Sequence, residues 1–313
     1  MDPSNHQITK NDSPAKKEFR SGYVALIGLP NVGKSTLLNQ LVGYKVAITT
    51  PKPQTTRFQV RGILTRENFQ IVFVDTPGIH QAKDLFNRLM VEQALKAIEE
   101  VDSVVFLIDV ANRNPQAEEK IIEILHKAQK PTILALNKID LVKKGELLPL
   151  IDFFSHLFPF KAIVPISALE RDGLEELVNE IVATLPPGPM YYQPDMTTDQ
   201  SERMLVAEII REKIFLLTRQ EVPYASAVVV EEFNEDQERN LIRIQATVYV
   251  EKDSQKGIII GKGGQMLKKI GTLAREELEF LLGRKVHLEI WVKVLKGWRK
   301  EEKALKRLGF PVY

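Results

Sequence analysis

The stretch "GLPNVGKST", residues 28–36, constrains the fold more than any other part of this 313-residue chain. Its spacing, G-x-x-x-x-G-K-[ST], works where a strand turns into a helix, because there successive amides and a helix N-terminus face one anion. The stretch follows the apolar "YVALI" and precedes the helical pattern "STLLNQLV". Loop amides from Gly28 through Asn31, Val32 and Gly33 to Thr36 can wrap a β-phosphate. Lys34 can reach the β- and γ-phosphates, and the Ser35 hydroxyl can sit on Mg²⁺. Further apolar runs, "FQIVFVDTPG", "VDSVVFLIDV", "PTILALNKID" and "AIVPIS", are separated by helix-length segments. Such runs read as strands buried on both faces, so an α/β domain with a mostly parallel central sheet is expected.

Three more motifs stand at strand ends. In "DTPG", 75–78, Asp75 can hold the Mg²⁺ shell while the Gly78 amide approaches a γ-phosphate. In "NKID", 137–140, which supplies Asn137 and Lys138, Asp140 can accept from two guanine N–H donors at once. Adenine would leave that carboxylate desolvated and unpaired. In "SAL", 167–169, Ser167 and Ala168 can offer backbone donors to the guanine carbonyl oxygen. The order of these motifs resembles the translation-factor class of P-loop GTPases, which implies GTP or GDP with Mg²⁺ as ligands. Between the loop and Asp75 lies "TPKPQTTRFQ", 50–59, polar and aperiodic, a candidate mobile switch. Thr56 is the expected second hydroxyl on Mg²⁺, with Thr55 the competing choice. Ile79 stands where Ras-like enzymes carry a water-positioning glutamine and cannot orient water, so slow intrinsic hydrolysis is expected. Asn31 resembles the residue with which a subgroup of these GTPases holds K⁺ beside the phosphates, making K⁺ a further expected ion.

The chain is long enough for two domains. The polar residues 1–20 lack the apolar core of a secretory signal, carry acidic residues that a transit peptide lacks, and read as a flexible tail. The GTPase domain is expected at 21–186. The run "LPPGPMYYQPDMTTDQ", 185–200, interrupts every periodicity and puts a linker at 187–200, with a second domain at 201–313. Absence of cysteine excludes disulfides, zinc fingers and thiol catalysis, and the five histidines have no ligand spacing. The net charge of +2 hides an asymmetry: residues 256–313 hold 14 Lys and Arg against 6 Asp and Glu. That excess suits a polyanionic partner.

The second domain reads as a helix (202–218), strands near 225–233 and 240–250, and a short helix entering "GKGG" at 261–264. A helix (265–282), a strand (285–295) and a final basic helix at 297–308 follow. Alternation in "KVHLEIWVKV" puts Val286, Leu288, Ile290, Val292 and Val294 on one face and His287, Glu289, Trp291 and Lys293 on the other. "GKGG" lacks the Gly-Lys-Ser/Thr ending of a nucleotide loop. Its setting instead matches a K-homology fold with its extra elements at the N-terminal side, an α+β type II KH domain, in which such a loop faces about four nucleotides of single-stranded RNA. Core packing is expected for at least two of Ile258, Ile259 and Ile260. For the tryptophans, packing of Trp298 on the sheet and partial cover of Trp291 are expected.

The motifs "GLPNVGKST", "KPQTTR", "DTPG", "NKID", "SAL" and "IIIGKGGQMLKKIG", with the tail "LEIWVKVLKGWRKEEKALKRLGF", resemble the Era family of bacterial ribosome-assembly GTPases from about residue 22 to the C-terminus. The resemblance implies nucleotide-dependent binding of the 3′ end of small-subunit ribosomal RNA on the small subunit, release being timed by GTP hydrolysis. Gly261, Lys262, Gly263, Gly264, Ile258, Lys268, Lys269, Lys293 and Arg299 are the expected RNA-binding residues. A cytoplasmic monomer that also touches the inner face of the cell membrane is the expected state. A rival expectation is a regulatory GTPase whose basic segment binds protein or anionic membrane, with RNA binding incidental.

Overall fold

In the computed structural model, which describes residues 18–79 and 84–310, the apolar runs form one buried sheet. Its strands are β1 (Arg20–Gly28), β2 (Val60–Arg66), β3 (Phe69–Asp75), β4 (Ser103–Asp109), β5 (Thr132–Asn137) and β6 (Ala162–Ile166), in the order β2-β3-β1-β4-β5-β6. Only β2 runs antiparallel, against β3. Every residue of β4 and β5 is buried, as expected of central strands covered on both faces. Helices α1 (Lys34–Val42) and α5 (Leu174–Thr184) pack on one face, and α2 (Leu85–Glu100), α3 (Pro115–Ala128) and α4 (Leu147–Leu157) on the other. This doubly wound arrangement sends the loops after β1, β3, β5 and β6 to one edge of the sheet, the edge where such folds bind ligands. The strand β2 was not expected, because Gly62 and the flanking Arg61 and Arg66 break the apolar alternation of "VRGILTR".

Residues 187–200 lie along this sheet rather than free of it: Tyr191 and Tyr192 amides donate to Gln70 Oε1, and the Thr198 hydroxyl to the Arg61 carbonyl. Ser201 then N-caps α6 (Glu202–Leu217), accepting from the Met204 amide. The second sheet, β7 (Ala227–Asp236), β8 (Leu241–Val250) and β9 (Lys285–Val294), is ordered β7-β8-β9, with β8 and β9 parallel. Helices α7 (Asp253–Ile260) and α8 (Gln265–Leu282) join β8 to β9, completing the expected α-β-β-α-α-β order of a type II KH domain. Apolar residues of α6, α8 and the three strands make its core.

The expected continuous basic helix at 297–308 is interrupted. Gly297, at φ 65°, turns the chain into a 3-10 turn at Trp298–Lys300, and only α9 (Glu302–Arg307) is α-helical. The cause is Trp298, whose ring is fully buried against Phe86 and Phe310 and whose Nε1 donates to the Ala225 carbonyl at 3.2 Å. Trp298 therefore packs between the domains, not simply on its own sheet, and Trp291, at 59% exposed, is partly covered. The expected tail at 1–20 falls outside the described residues except for its last three, of which Arg20 begins β1.

Candidate functional site

Gly33 ends the first glycine loop at φ 103°, and a Cβ there would lie 2.3 Å from Asn137 Nδ2, so the loop closes over β5 only with glycine at this position. Helix α1 starts directly after it with no side-chain cap and no acidic residue in its first turn. Its N-terminal amides are thus left for an anion. Lys34 is buried, with Nζ donating to the carbonyls of Gly28 (3.2 Å) and Leu29 (3.0 Å). Burial pulls its pKa down to about 8, against a smaller upward pull from Asp75. A cavity of about 400 Å³ is lined by Asn31, Gly33, Lys34, Ser35, Thr36, Thr56, Gly78 and Lys138. A larger cavity, about 710 Å³, adjoins it across Asn31, Asp109 and Asn112 toward α3. The lysine and hydroxyls that suit phosphates line the smaller one.

Ser35 Oγ donates to Asp75 Oδ2 at 2.6 Å, and Thr56 Oγ1 lies 2.9 Å from Ser35 Oγ and 3.3 Å from Asp75 Oδ2. Thr55 Oγ1 turns away, to Thr50 and the Lys52 carbonyl. Asp75 is fully buried and its Oδ1 has no hydrogen-bond partner. Burial raises its pKa, with Lys34 and the two hydroxyls opposing. Two hydroxyls and a carboxylate with an unmatched buried oxygen are a hard oxygen set that fits Mg²⁺. Beside it the Ile79 amide donates to the Gly28 carbonyl at 3.2 Å, and the Ile79 side chain is buried in the core.

At the other end Asn137 braces two loops: Nδ2 donates to the Val32 carbonyl (2.7 Å) and Oδ1 accepts from the Ala168 amide (2.9 Å). The Ser167 amide is likewise engaged, with the Asp172 carbonyl. Both expected backbone donors to guanine are thus occupied. What Ser167 supplies instead is its hydroxyl, which donates to Asp140 Oδ1 at 2.6 Å and orients that exposed carboxylate. Lys138, at φ 70°, reaches back to the Asn31 carbonyl (2.9 Å) and to Asp109 Oδ2 (2.5 Å). Asp109 was not singled out from the sequence, although an acid closing the strand "SVVFLID" is a readable signal.

The second glycine loop joins α7 to α8. Gly261 sits at φ 72°, ψ 174°, and Gly263 and Gly264 are also left-handed. Helix α8, like α1, begins on a glycine without a side-chain cap. Beside the loop a groove of about 410 Å³ has Leu267, Leu288 and Ile290 in its floor and Lys268 and Arg275 on its rim. Ile259 is core, Ile260 packs against the core, and Ile258 is 45% exposed. Of the expected RNA contacts Gly264 and Lys268 line this groove; Ile258, Gly261, Lys262, Gly263 and Lys269 are not in its lining, and Lys293 and Arg299 are directed elsewhere. Lys293 lies on the opposite face of β9, by strand alternation from Leu288 and Ile290. Arg299 pairs with Glu251 of its own domain at 2.7 Å and with Asp84 of the first domain at 3.6 Å, so its charge is matched within the protein.

Against known proteins, a family model described as a 50S ribosome-binding GTPase matches residues 23–138, and a KH-domain model matches residues 221–299. The GTPase Era of Geobacter metallireducens is 53% identical over 93% of this chain and 98% of its own, and that of Syntrophus aciditrophicus 51% over 93% and 95%. Among solved structures, a variant of Aquifex aeolicus Era bound to GDP.AlF4⁻ is 44% identical and covers 94% of this chain and all of its own, with a TM-score of 0.90. Era in complex with MgGDPNP and nucleotides 1506–1542 of 16S ribosomal RNA matches with the same identity, coverage and score. A guanine-directed GTPase site and a KH glycine loop on one chain, with identity of about half sustained across both, place it in the Era family of GTPases.

Proposed function

We propose that this GTPase uses its nucleotide to switch the grip of the KH domain on single-stranded RNA at the 3′ end of small-subunit ribosomal RNA, during assembly of that subunit. The observation that carries the reading is the second glycine loop: an uncapped helix N-terminus beside a groove with an apolar floor and a basic rim. Amides and Lys268 suit a sugar-phosphate chain, and the floor suits unstacked bases. The relative solved with MgGDPNP and a 16S ribosomal RNA segment supports both ligands. The nucleotide is assigned to residues 21–186 and the RNA to residues 201–313, with 187–200 between them. Apolar cores on either side, bridged by Ile48 and by the contact of α2 with Trp298, support that division.

Within the first domain, Gly28, Asn31–Thr36 and Gly78 hold the phosphates, Asn137 and Lys138 shape the base site, and Asp140, oriented by Ser167, reads guanine. Ser35, Thr56 and Asp75 hold Mg²⁺, which when bound neutralises charge on the β- and γ-phosphates. Ile79 supplies no hydrogen bond to water, so hydrolysis is slow and suited to timing. Asn31, whose Nδ2 donates to the Pro51 carbonyl at 3.0 Å, ties the phosphate loop to the switch segment and is assigned to K⁺. Faster hydrolysis in KCl than in NaCl is expected, and equal rates would remove that ion. The protein- or membrane-binding rival has less support, because Trp298, Leu305 and Leu308, the apolar side of the basic segment, are buried. Among the described residues no helix is long and apolar enough to cross a membrane.

The test is RNA crosslinking with sequencing, on intact protein loaded with GDP or a non-hydrolysable GTP analogue, beside Gly263→Asp. A Cβ at Gly263 meets nothing within 4 Å, so this substitution adds charge without displacing neighbours. Reads concentrated at one single-stranded ribosomal site, stronger with the analogue and lost in the variant, are expected. Diffuse reads that ignore the substitution would reject the loop as the clamp.

A further inference from the structure

The candidate switch segment, 50–59, and the residues 44–49 that lead into it are held by the second domain. The Tyr44 hydroxyl donates to the Leu281 carbonyl at 3.0 Å, Lys45 pairs with Glu212 at 2.8 Å and with Glu277, and the Thr49 amide donates to Glu212 at 3.0 Å. Ile48 packs into the KH core, and Lys52 donates to the carbonyls of Phe215 and Thr218. The last two anchors flank Thr56. Arg211, on α6, donates to the Thr55 carbonyl, and Arg57 donates to the carbonyls of Pro223 (3.0 Å), Tyr224 (3.0 Å) and Ser226 (2.5 Å). Thr56 itself faces the other way, to Ser35 and Asp75.

Arg57 is an expensive way to hold a loop. Arg57 is 1% exposed, its guanidinium lies over the rings of Phe86 and Phe215, and its Nε has no partner. Among the described residues no carboxylate pairs with it; its acceptors are backbone carbonyls alone. A buried cation so placed contributes less to stability than a packed apolar side chain of similar size would. What it gains is direction, since a planar fork meeting three carbonyls admits one orientation of the backbone that carries it.

We propose that Arg57, with Arg211, is a positioning residue for GTP hydrolysis: by fixing the peptides on both sides of Thr56 to the KH domain, they hold the Thr56 hydroxyl at the Mg²⁺ site. The metal site is then complete only while the two domains are docked, and the second domain is a working part of the first. This rests on the assignment of Thr56 to Mg²⁺. Because coupling is reciprocal, a nucleotide that uses Thr56 through the metal favours the docked arrangement, and one that does not leaves it weaker.

The experiment uses the full chain as wild type, Thr56→Ala, Arg57→Ala, Arg57→Lys and the double Thr56→Ala, Arg57→Ala. Two quantities are read: the Mg²⁺ concentration giving half-maximal hydrolysis, and the affinities for fluorescent GDP and a fluorescent non-hydrolysable GTP analogue. Arg57→Ala is expected to raise the Mg²⁺ requirement and weaken the analogue by about tenfold each, with GDP affinity changed by less than about twofold. Arg57→Lys, which keeps charge but not the fork, falls between; it carries the test if Arg57→Ala does not melt cooperatively. In the Thr56→Ala background, Arg57→Ala is expected to add nothing, as it should if one residue acts through the other. Equal loss of GDP and analogue, effects that multiply in the double variant, or an unchanged Arg57→Ala would overturn the proposal while a shifted Thr56→Ala upholds the metal assignment. An unchanged Thr56→Ala overturns that assignment and the proposal with it.

Discussion

Lys34 carries a proton whose hold depends on what fills the loop. Burial lowers its pKa to about 8 in the free chain, and phosphates bound at Nζ restore the charged form. The free protein therefore sheds this proton above about pH 8 while the bound protein keeps it, so binding takes up a proton there. Nucleotide affinity should be flat below pH 8 and fall by up to about tenfold per unit above it. Calorimetry at pH 9 in two buffers of different ionisation enthalpy checks this; affinity independent of pH, with no proton uptake, would falsify it. Lys34, Ser35, Asp75 and Asp140 were legible because their partners are motif neighbours or lie at adjacent strand ends. Arg57 was not legible: it was visible in "KPQTTR", but its acceptors lie 166–169 residues further along the chain. No local pattern records such a contact.

Helices α1 and α8 start on glycine loops with neither a side-chain cap nor an acidic first turn, unlike α5, whose uncapped start at Gly173 is followed by Glu175 and Glu176, and this leaves their amides for an anion. The two ends of the second loop differ in what they tolerate. A Cβ at Gly261 would lie 2.7 Å from Met266 Cβ, in a backbone region open to glycine alone, whereas at Gly263, φ 59°, it meets open space. Gly261→Ala should destabilise the chain by about 1–3 kcal/mol, and Gly263→Asn by less, since asparagine tolerates the left-handed region. Urea melts of both variants decide the order, and equal midpoints would contradict it. Among the strands, β4 and β5 were plain from apolar runs alone. The edge strand β2 was not, because an edge asks less of its sequence. The last helix was read too long because its basic periodicity continues through Trp298, a position whose burial is set by the first domain.

Across the whole molecule the candidate switch segment and α2 both touch the second domain. Residues 44–57 lie against α6, α8 and the loop at 223–226, and Phe86, Leu89 and Met90 of α2 pack with Trp298, Leu305 and Phe310. The order of domains was legible from motif succession; the docking was not, because it is made by scattered polar contacts and by apolar residues far apart in the chain, Ile48 and the α2 face against Trp298 and Phe310, rather than by any one apolar run. The basic excess of the last fifth divides accordingly. Lys268→Ala should reduce the salt dependence of RNA binding by about one unit of slope, whereas Arg299→Ala, which breaks one pair within the second domain and one to Asp84 of the first, should lower the melting point and leave that slope alone. The central claim is that nucleotide state sets RNA affinity. The most direct measurement is an anisotropy titration of a single-stranded oligonucleotide matching the 3′ end of 16S ribosomal RNA, at fixed salt, into the intact chain with Mg²⁺ and either GDP or a non-hydrolysable GTP analogue. Binding tighter by about fivefold or more with the analogue is the predicted result; the same affinity in both states would contradict it.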